Sequence, residues 1–169
     1  MKNYIALTKP RITWLILMST GIGYYFGLRG GLDIGSLLHT LIGTGLIASG
    51  TAALNQWYES DADARMNRTK HRPIPSGKVT RPQAFWFAMA LSVLGLAALT
   101  IWVNPLTRFL GVFTMASYLL LYTPMKQRSR HSTTVGAIPG AMPPLIGFAA
   151  AAGVLTAEAW VLFAILFIW

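Results

Sequence analysis

Long apolar runs separated by short polar punctuation dominate the chain. Near-continuous apolar stretches occupy residues 12–28, 34–58, 83–103, 106–122 and 133–152, and another opens near Ala157 and is still running at Trp169. Each of the first five approaches the roughly 20 residues a helix needs to cross a hydrocarbon core about 30 Å thick. The pattern predicts an all-α fold, a polytopic transmembrane helix bundle of about five complete spans plus a truncated sixth. At 1.5 Å per residue the last run covers only about 20 Å by Trp169, short of a crossing. The expectation is therefore a single transmembrane domain over residues 1–169, incomplete at its C-terminus and inactive alone.

Three connections, around residues 29–33, 104–105 and 153–158, are short, whereas the polar segments on the other side are longer. The longest covers residues 60–82 and contains the turn-rich run Arg72-Pro73-Ile74-Pro75-Ser76-Gly77. Composition agrees with a bilayer: 54% of residues are hydrophobic and 11% charged, well outside the usual soluble range. The net charge of +9 raises the question of nucleic acid, but the basic residues do not form one face with interleaved aromatics. They alternate by loop instead. Lys2, Lys9 and Arg11 precede the first span; Arg65, Arg68, Lys70, Arg72, Lys78 and Arg81 follow the second; Lys126, Arg128 and Arg130 follow the fourth. Only Arg29 and Arg108 lie opposite, so the rich side is cytoplasmic by the positive-inside rule and the N-terminus is inside. Cysteine is absent, which removes disulfides and thiolate metal sites from consideration.

Within the spans, Gly23/Gly27 and Gly136/Gly140 recur at four-residue spacing, which favours close helix packing in lipid. Pro139, Pro143 and Pro144 should kink or break the fifth span, either for packing or to line a cavity. His39, His71 and His131 have no second ligand at diagnostic spacing. Trp57, Tyr58, Trp86, Trp102 and Tyr122 lie near span ends, where aromatic anchors are common.

Of five acidic residues, three crowd the end of the second span in Asn55-Gln56-Trp57-Tyr58-Glu59-Ser60-Asp61-Ala62-Asp63. On a helix, Asn55, Glu59 and Asp63 share one stripe while Asp61 turns away. Like charges at that spacing repel, and carboxylates near a membrane are costly, so the stripe calls for a cation. Magnesium takes hard oxygen ligands, often one or two carboxylates completed by substrate phosphates. Arg65, Arg68, Lys70 and Arg72 follow at once and can donate to those phosphates. The competing reading is a helix end whose carboxylates pair with nearby Arg and Lys in solvated salt bridges.

At this point the chain resembles the UbiA-type intramembrane prenyltransferases. The resemblance rests on Leu7-Thr8-Lys9-Pro10-Arg11, on Asn55 to Asp63 with Arg68-Thr69-Lys70-His71-Arg72-Pro73, on Tyr122-Thr123-Pro124-Met125-Lys126, and on Val135-Gly136-Ala137 with Gly140-Ala141-Met142-Pro143-Pro144-Leu145-Ile146-Gly147. The acidic motif and Arg-Thr-Lys run are similar to the family at large; Lys-Pro-Arg and the Gly-Ala-Met-Pro-Pro run resemble its haem-directed branch. That resemblance implies transfer of a farnesyl group from farnesyl diphosphate to a vinyl group of haem B, giving haem O and pyrophosphate. It implies Mg2+ held by Asn55, Glu59 and Asp63, with Arg68, Lys70, Arg72, Lys126 and Arg128 binding phosphate or haem propionate. Expected partners are the lipid bilayer and, among proteins, a haem A synthase or terminal oxidase assembly factors, in a cell inner membrane. Three departures stand out: Glu59 replaces the Asp of many relatives, Ser132 stands where relatives often carry Asn, and, largest, the family usually continues for several more spans with a second polar, ligand-bearing cytoplasmic loop that this sequence lacks. Members that prenylate quinone precursors or chlorins share the acidic motif, and a transporter or assembly subunit is the non-enzyme alternative.

Overall fold

The computed structural model describes residues 1–126, 129 and 131–168, and it is helical throughout its ordered elements. A short α1 (Lys2–Leu7) precedes α2 (Pro10–Gly27), α3 (Ile34–Arg65), α4 (Arg81–Trp102) and α5 (Pro105–Ala116). A π-helical segment (Ser117–Tyr122) then leads into α6 (Thr123–Met125), followed by α7 (Ser132–Ala152) and α8 (Ala157–Ile168). Four stretches are long and apolar enough to cross a membrane: Ile34–Arg65, Arg81–Trp102, Pro105–Met125 and Ser132–Ala152. α2 is 18 residues long, or about 27 Å. It is more polar, yet its outer face presents Trp14, Leu15, Met18, Ile22, Tyr25 and Phe26.

Burial is inverted relative to a water-soluble bundle. Large apolar side chains dominate the exposed set, whereas Thr20, Thr40, Thr44, Thr51, Ser92, Thr107, Ser117 and Thr123 are buried. Outside, lipid satisfies the apolar surface; inside, small residues bring backbones together and their hydroxyls bond locally. Thr20, Thr40, Thr51 and Ser92 each donate to the carbonyl four residues back. The chain is a multi-pass helical membrane protein.

Glycines set the closest crossings. Gly23 lies against the backbone of Pro144, Gly27 against that of Phe148, and Gly147 against that of Thr20, so α2 and α7 pack without room for a side chain. The Gly23/Gly27 spacing thus works as packing. Gly136 packs against the Tyr122 ring, but Gly140 has open space beside it, so the second pair does not form a helix seam. The prolines do not break the fifth span: α7 is one helix from Ser132 to Ala152 with Pro139, Pro143 and Pro144 inside it. Its C-terminal carbonyls find a partner in Asn104, whose Nδ2 donates to Ala149 O at 2.8 Å. The same side chain caps α5 by accepting from Thr107 N at 2.8 Å.

α3 is the longest element at 32 residues, about 48 Å. It exceeds the hydrocarbon thickness, so its polar last turns project past the apolar layer and carry the acidic stripe beyond it.

Candidate functional site

The stripe forms as helical geometry requires: Asn55, Glu59 and Asp63 lie on one buried face of α3, and Asn55 and Asp63 are each 1% exposed. Asp61 turns outward and pairs with Arg81, whose Nη1 donates at 2.9 and 3.0 Å. Arg81 also lies over the Trp57 ring at 5.9 Å, which places Trp57 in packing rather than as a free anchor.

Basic groups converge on the stripe from three separate segments. Arg72 Nη1 donates to Asp63 Oδ2 at 2.6 Å. Lys126 Nζ donates to Glu59 Oε1 at 3.1 Å. Lys9 Nζ donates to Asn55 Oδ1 at 3.2 Å. Three cations against two buried carboxylates leave the site with a net positive charge, the electrostatics of an anion receptor. The Arg72 and Lys126 side chains are 27% and 44% exposed against 2% and 6% for their carboxylate partners. The acids are buried while the cationic side chains reach toward solvent.

Lys9 was legible only as part of a motif, and the structure makes it a central group. It is the one non-glycine residue with positive φ among the described residues, at 48°. It also precedes Pro10, a position normally driven to extended backbone. Such a strained residue persists where the surroundings over-determine it, and here the turn from α1 into α2 aims the ammonium at Asn55. Burial holds the Lys9 ammonium below the usual lysine pKa, and the Arg72 charge lowers it further against the opposing pull of Glu59.

Two other contributors came from outside the expected set. Gln56 Nε2 donates to Leu7 O at 2.9 Å and to Ala6 O at 3.3 Å, tying the end of α1 to α3. Asn55 Nδ2 donates to Thr123 Oγ1 at 3.3 Å. Thr123 Oγ1 donates in turn to Tyr118 O at 2.8 Å, a five-residue step within the π-helical register. Nothing in the hydrophobic pattern announces a π-helical turn; such turns are frequent at functional sites.

Of the remaining expected residues, Arg68 is exposed and lines a groove of 460 Å³ with Lys9, Gln56, His71 and Arg72. Lys70 is not brought to the stripe: it is exposed, and its Nζ donates to Asn67 Oδ1 at 3.1 Å. Arg128 lies outside the described residues. His39 stacks on Trp102, with centroids 5.2 Å apart. No group of three His, Cys, Asp or Glu side chains able to hold a metal occurs among the described residues.

Below Lys9 a cavity of 570 Å³ opens between α2, α3, the π-helical segment and α7. Lys9 sits at its mouth, and Tyr118 and Tyr122 line it with ring centroids 5.1 Å apart. Tyr122 is therefore part of the cavity wall. Gly140, Pro139 and Pro143 line it from an unbroken α7. A polar, cationic mouth over an apolar interior suits an amphiphile with an anionic head and a hydrocarbon tail.

Known proteins show the same arrangement of sequence. Residues 16–169 match the UbiA prenyltransferase family. Curated relatives include a protoheme IX farnesyltransferase of Solibacter usitatus, 64% identical across 100% of this chain and 61% of the relative. One of the same name from Opitutus terrae is 46% identical, over 99% of this chain and 56% of its own. The chain thus spans little more than half the length of these relatives. Among solved structures, a chain from work on digeranylgeranylglyceryl phosphate synthase superposes with TM-score 0.86 at 20% identity, covering 99% of this chain and 58% of its own. A UbiA homolog from Archaeoglobus fulgidus bound to GPP and Mg2+ gives TM-score 0.74 at 16% identity, over 98% of this chain and 60% of that one. Those two likenesses establish the fold. With the family match running through the acidic stripe and the cavity-lining helices, the chain belongs to the UbiA prenyltransferase family.

Proposed function

We propose that the whole protein transfers a farnesyl group from farnesyl diphosphate to a vinyl group of haem B, yielding haem O and pyrophosphate. The observation that carries this reading is the buried Asn55–Glu59–Asp63 stripe, faced by Lys9, Arg72 and Lys126, with Lys9 also lining the apolar cavity. The names of the curated relatives supply the acceptor.

The donor set fits magnesium. Two buried carboxylates and an amide oxygen are too few for an all-protein cage, but suit an ion that keeps waters and shares phosphate oxygens with its substrate. Asn55, Glu59 and Asp63 would hold it, and when bound it supplies positive charge against that growing on pyrophosphate. Arg72 and Lys126, whose side chains are partly exposed, exchange their carboxylate partners for phosphate oxygens as the diphosphate enters. The salt-bridge reading and the metal reading of the stripe then describe two states of one site.

The C1–O bond breaks with its electron pair leaving on pyrophosphate, and Lys9 stands where that charge meets the cavity. The allylic cation is attacked by the vinyl group; water adds to the resulting cation and a proton is lost. Tyr118 and Tyr122 line the cavity, and their aromatic rings can stabilise the allylic cation there. Apolar walls keep water from quenching it before the vinyl group attacks. The orientation is a cytoplasmic N-terminus in a cell inner membrane, following the loop charges.

Membranes carrying the whole protein, incubated with haem B, farnesyl diphosphate and magnesium, should yield a farnesylated haem by mass spectrometry. Product from a quinone precursor or chlorin in competition, with none from haem B, would refute the acceptor.

A further inference from the structure

The cavity has a floor, and its depth is measurable along five helices. The side chains of Lys9, Asn55 and Thr123 meet through hydrogen bonds at the top of the cavity. Counted from those residues, Ser19 lies ten residues down α2, Thr44 eleven along α3, and Gly111 twelve back through the π-helical segment into α5. At 1.5 Å per residue these positions fall about 15–18 Å below the mouth. Leu99 of α4 meets Gly111 and packs against Gly43, and Ile146 of α7 closes the same level. All five line the cavity. Past them α2 and α7 close on each other, because the Gly23–Pro144, Gly27–Phe148 and Gly147–Thr20 approaches bring them into backbone contact.

An extended chain advances about 1.2 Å per bond, as the polypeptide does over its three backbone bonds. One isoprene unit adds four chain bonds, about 5 Å, and three units add about 15 Å. A fifteen-carbon tail anchored by its diphosphate at the stripe reaches the floor. A ten-carbon tail leaves it empty, and a twenty-carbon tail must displace side chains.

We infer that Thr44, Leu99, Gly111 and Ile146 gauge the length of the prenyl chain and select three isoprene units. This rests on the reading of the cavity as the prenyl site. The mechanism is steric: Leu99 is fully buried, and a Cβ on Gly111 would lie 3.1 Å from Ile47 Cδ1 and 3.2 Å from Leu99 Cδ1, so the floor has no slack. Shortening Leu99 opens depth, and filling Gly111 removes it.

The test uses the whole protein with geranyl, farnesyl and geranylgeranyl diphosphates in competition. Binding and transfer are read separately, and each variant is scored by its own ratio so that overall losses cancel. Leu99→Ala should raise the geranylgeranyl-to-farnesyl ratio by about tenfold or more, the discrimination a few methylenes command in an apolar pocket. Ile146→Val, a milder change on another helix, should move it the same way by a smaller factor and covers the case of an unstable Leu99 variant. Gly111→Ala should raise the geranyl-to-farnesyl ratio. Unchanged ratios in the variants that fold overturn the gauge. A shift in binding ratios without any transfer to haem B supports the gauge while rejecting the acceptor.

Discussion

Lys9 Nζ lies 3.2 Å from Asn55 Oδ1, so a residue before the first long helix is fastened to the first residue of the acidic stripe, 46 positions later. This bond joins the two halves of the site: the oxygen stripe on one side, the apolar cavity on the other. Its consequences can be tested.

Lys9→Ala removes a cation from the cavity mouth together with its bond to Asn55. Transfer should fall about 100-fold, the loss seen when one aligned charge-stabilising donor is deleted, and Lys9→Arg should recover part of it. Steady-state kinetics of purified variants in detergent would show this; unimpaired kcat in Lys9→Ala would remove Lys9 from the site.

Asp63→Asn and Glu59→Gln each delete a charge from the proposed magnesium site at a helix end that is already polar. Both should abolish transfer, by at least about 100-fold, while membrane insertion persists. The Asp63 change also strands Arg72, whose partner at 2.6 Å is lost. Near-normal turnover at ordinary magnesium would sink the ligand assignment.

The connection between α3 and α4 carries six of the fourteen basic residues when counted from Arg65 to Arg81, and should face the cytoplasm. Ser76, exposed in that segment, is a suitable reporter. A cysteine introduced there should react with a membrane-impermeant label only after the inner face is opened; labelling of intact spheroplasts would reverse the topology.

Gly147→Ala places a Cβ into the backbone of Thr20, where neither side can yield. The expected cost is about 1–3 kcal/mol, the usual range for overpacking a close contact. A lowered thermal midpoint in detergent would show it, and an unchanged midpoint would mean that α2 and α7 are not so tightly seated.

Thr44 makes the opposite case. Its Oγ1 is buried without a hydrogen-bond partner, unlike Thr40 and Thr51 on the same helix. Thr44→Val keeps the shape and deletes the orphan hydroxyl, so stability should rise by about 1 kcal/mol. A fall in the midpoint would indicate that the hydroxyl is satisfied in the membrane.

The amino-acid sequence by itself determined the membrane helices and the acidic stripe, because both depend on local periodicity. Apolar runs of span length need no partner to be recognised, and Asn55, Glu59 and Asp63 share a face of any α-helix at that spacing. It also determined that Asp61 would point elsewhere, as its pairing with Arg81 bears out. Only the tertiary structure decided which cations meet the stripe. Arg72, Lys126 and Lys9 lie on different segments and are chosen by where α3, α6 and the α1–α2 turn come together, whereas Lys70, seven positions from Asp63 in sequence, faces solvent. The same holds for the prolines of α7: three missing backbone donors announce a defect, but neighbouring helices hold the segment as one continuous helix along the cavity. The depth of that cavity follows from glycine crossings between helices more than a hundred residues apart, a distance no periodicity within one helix can record.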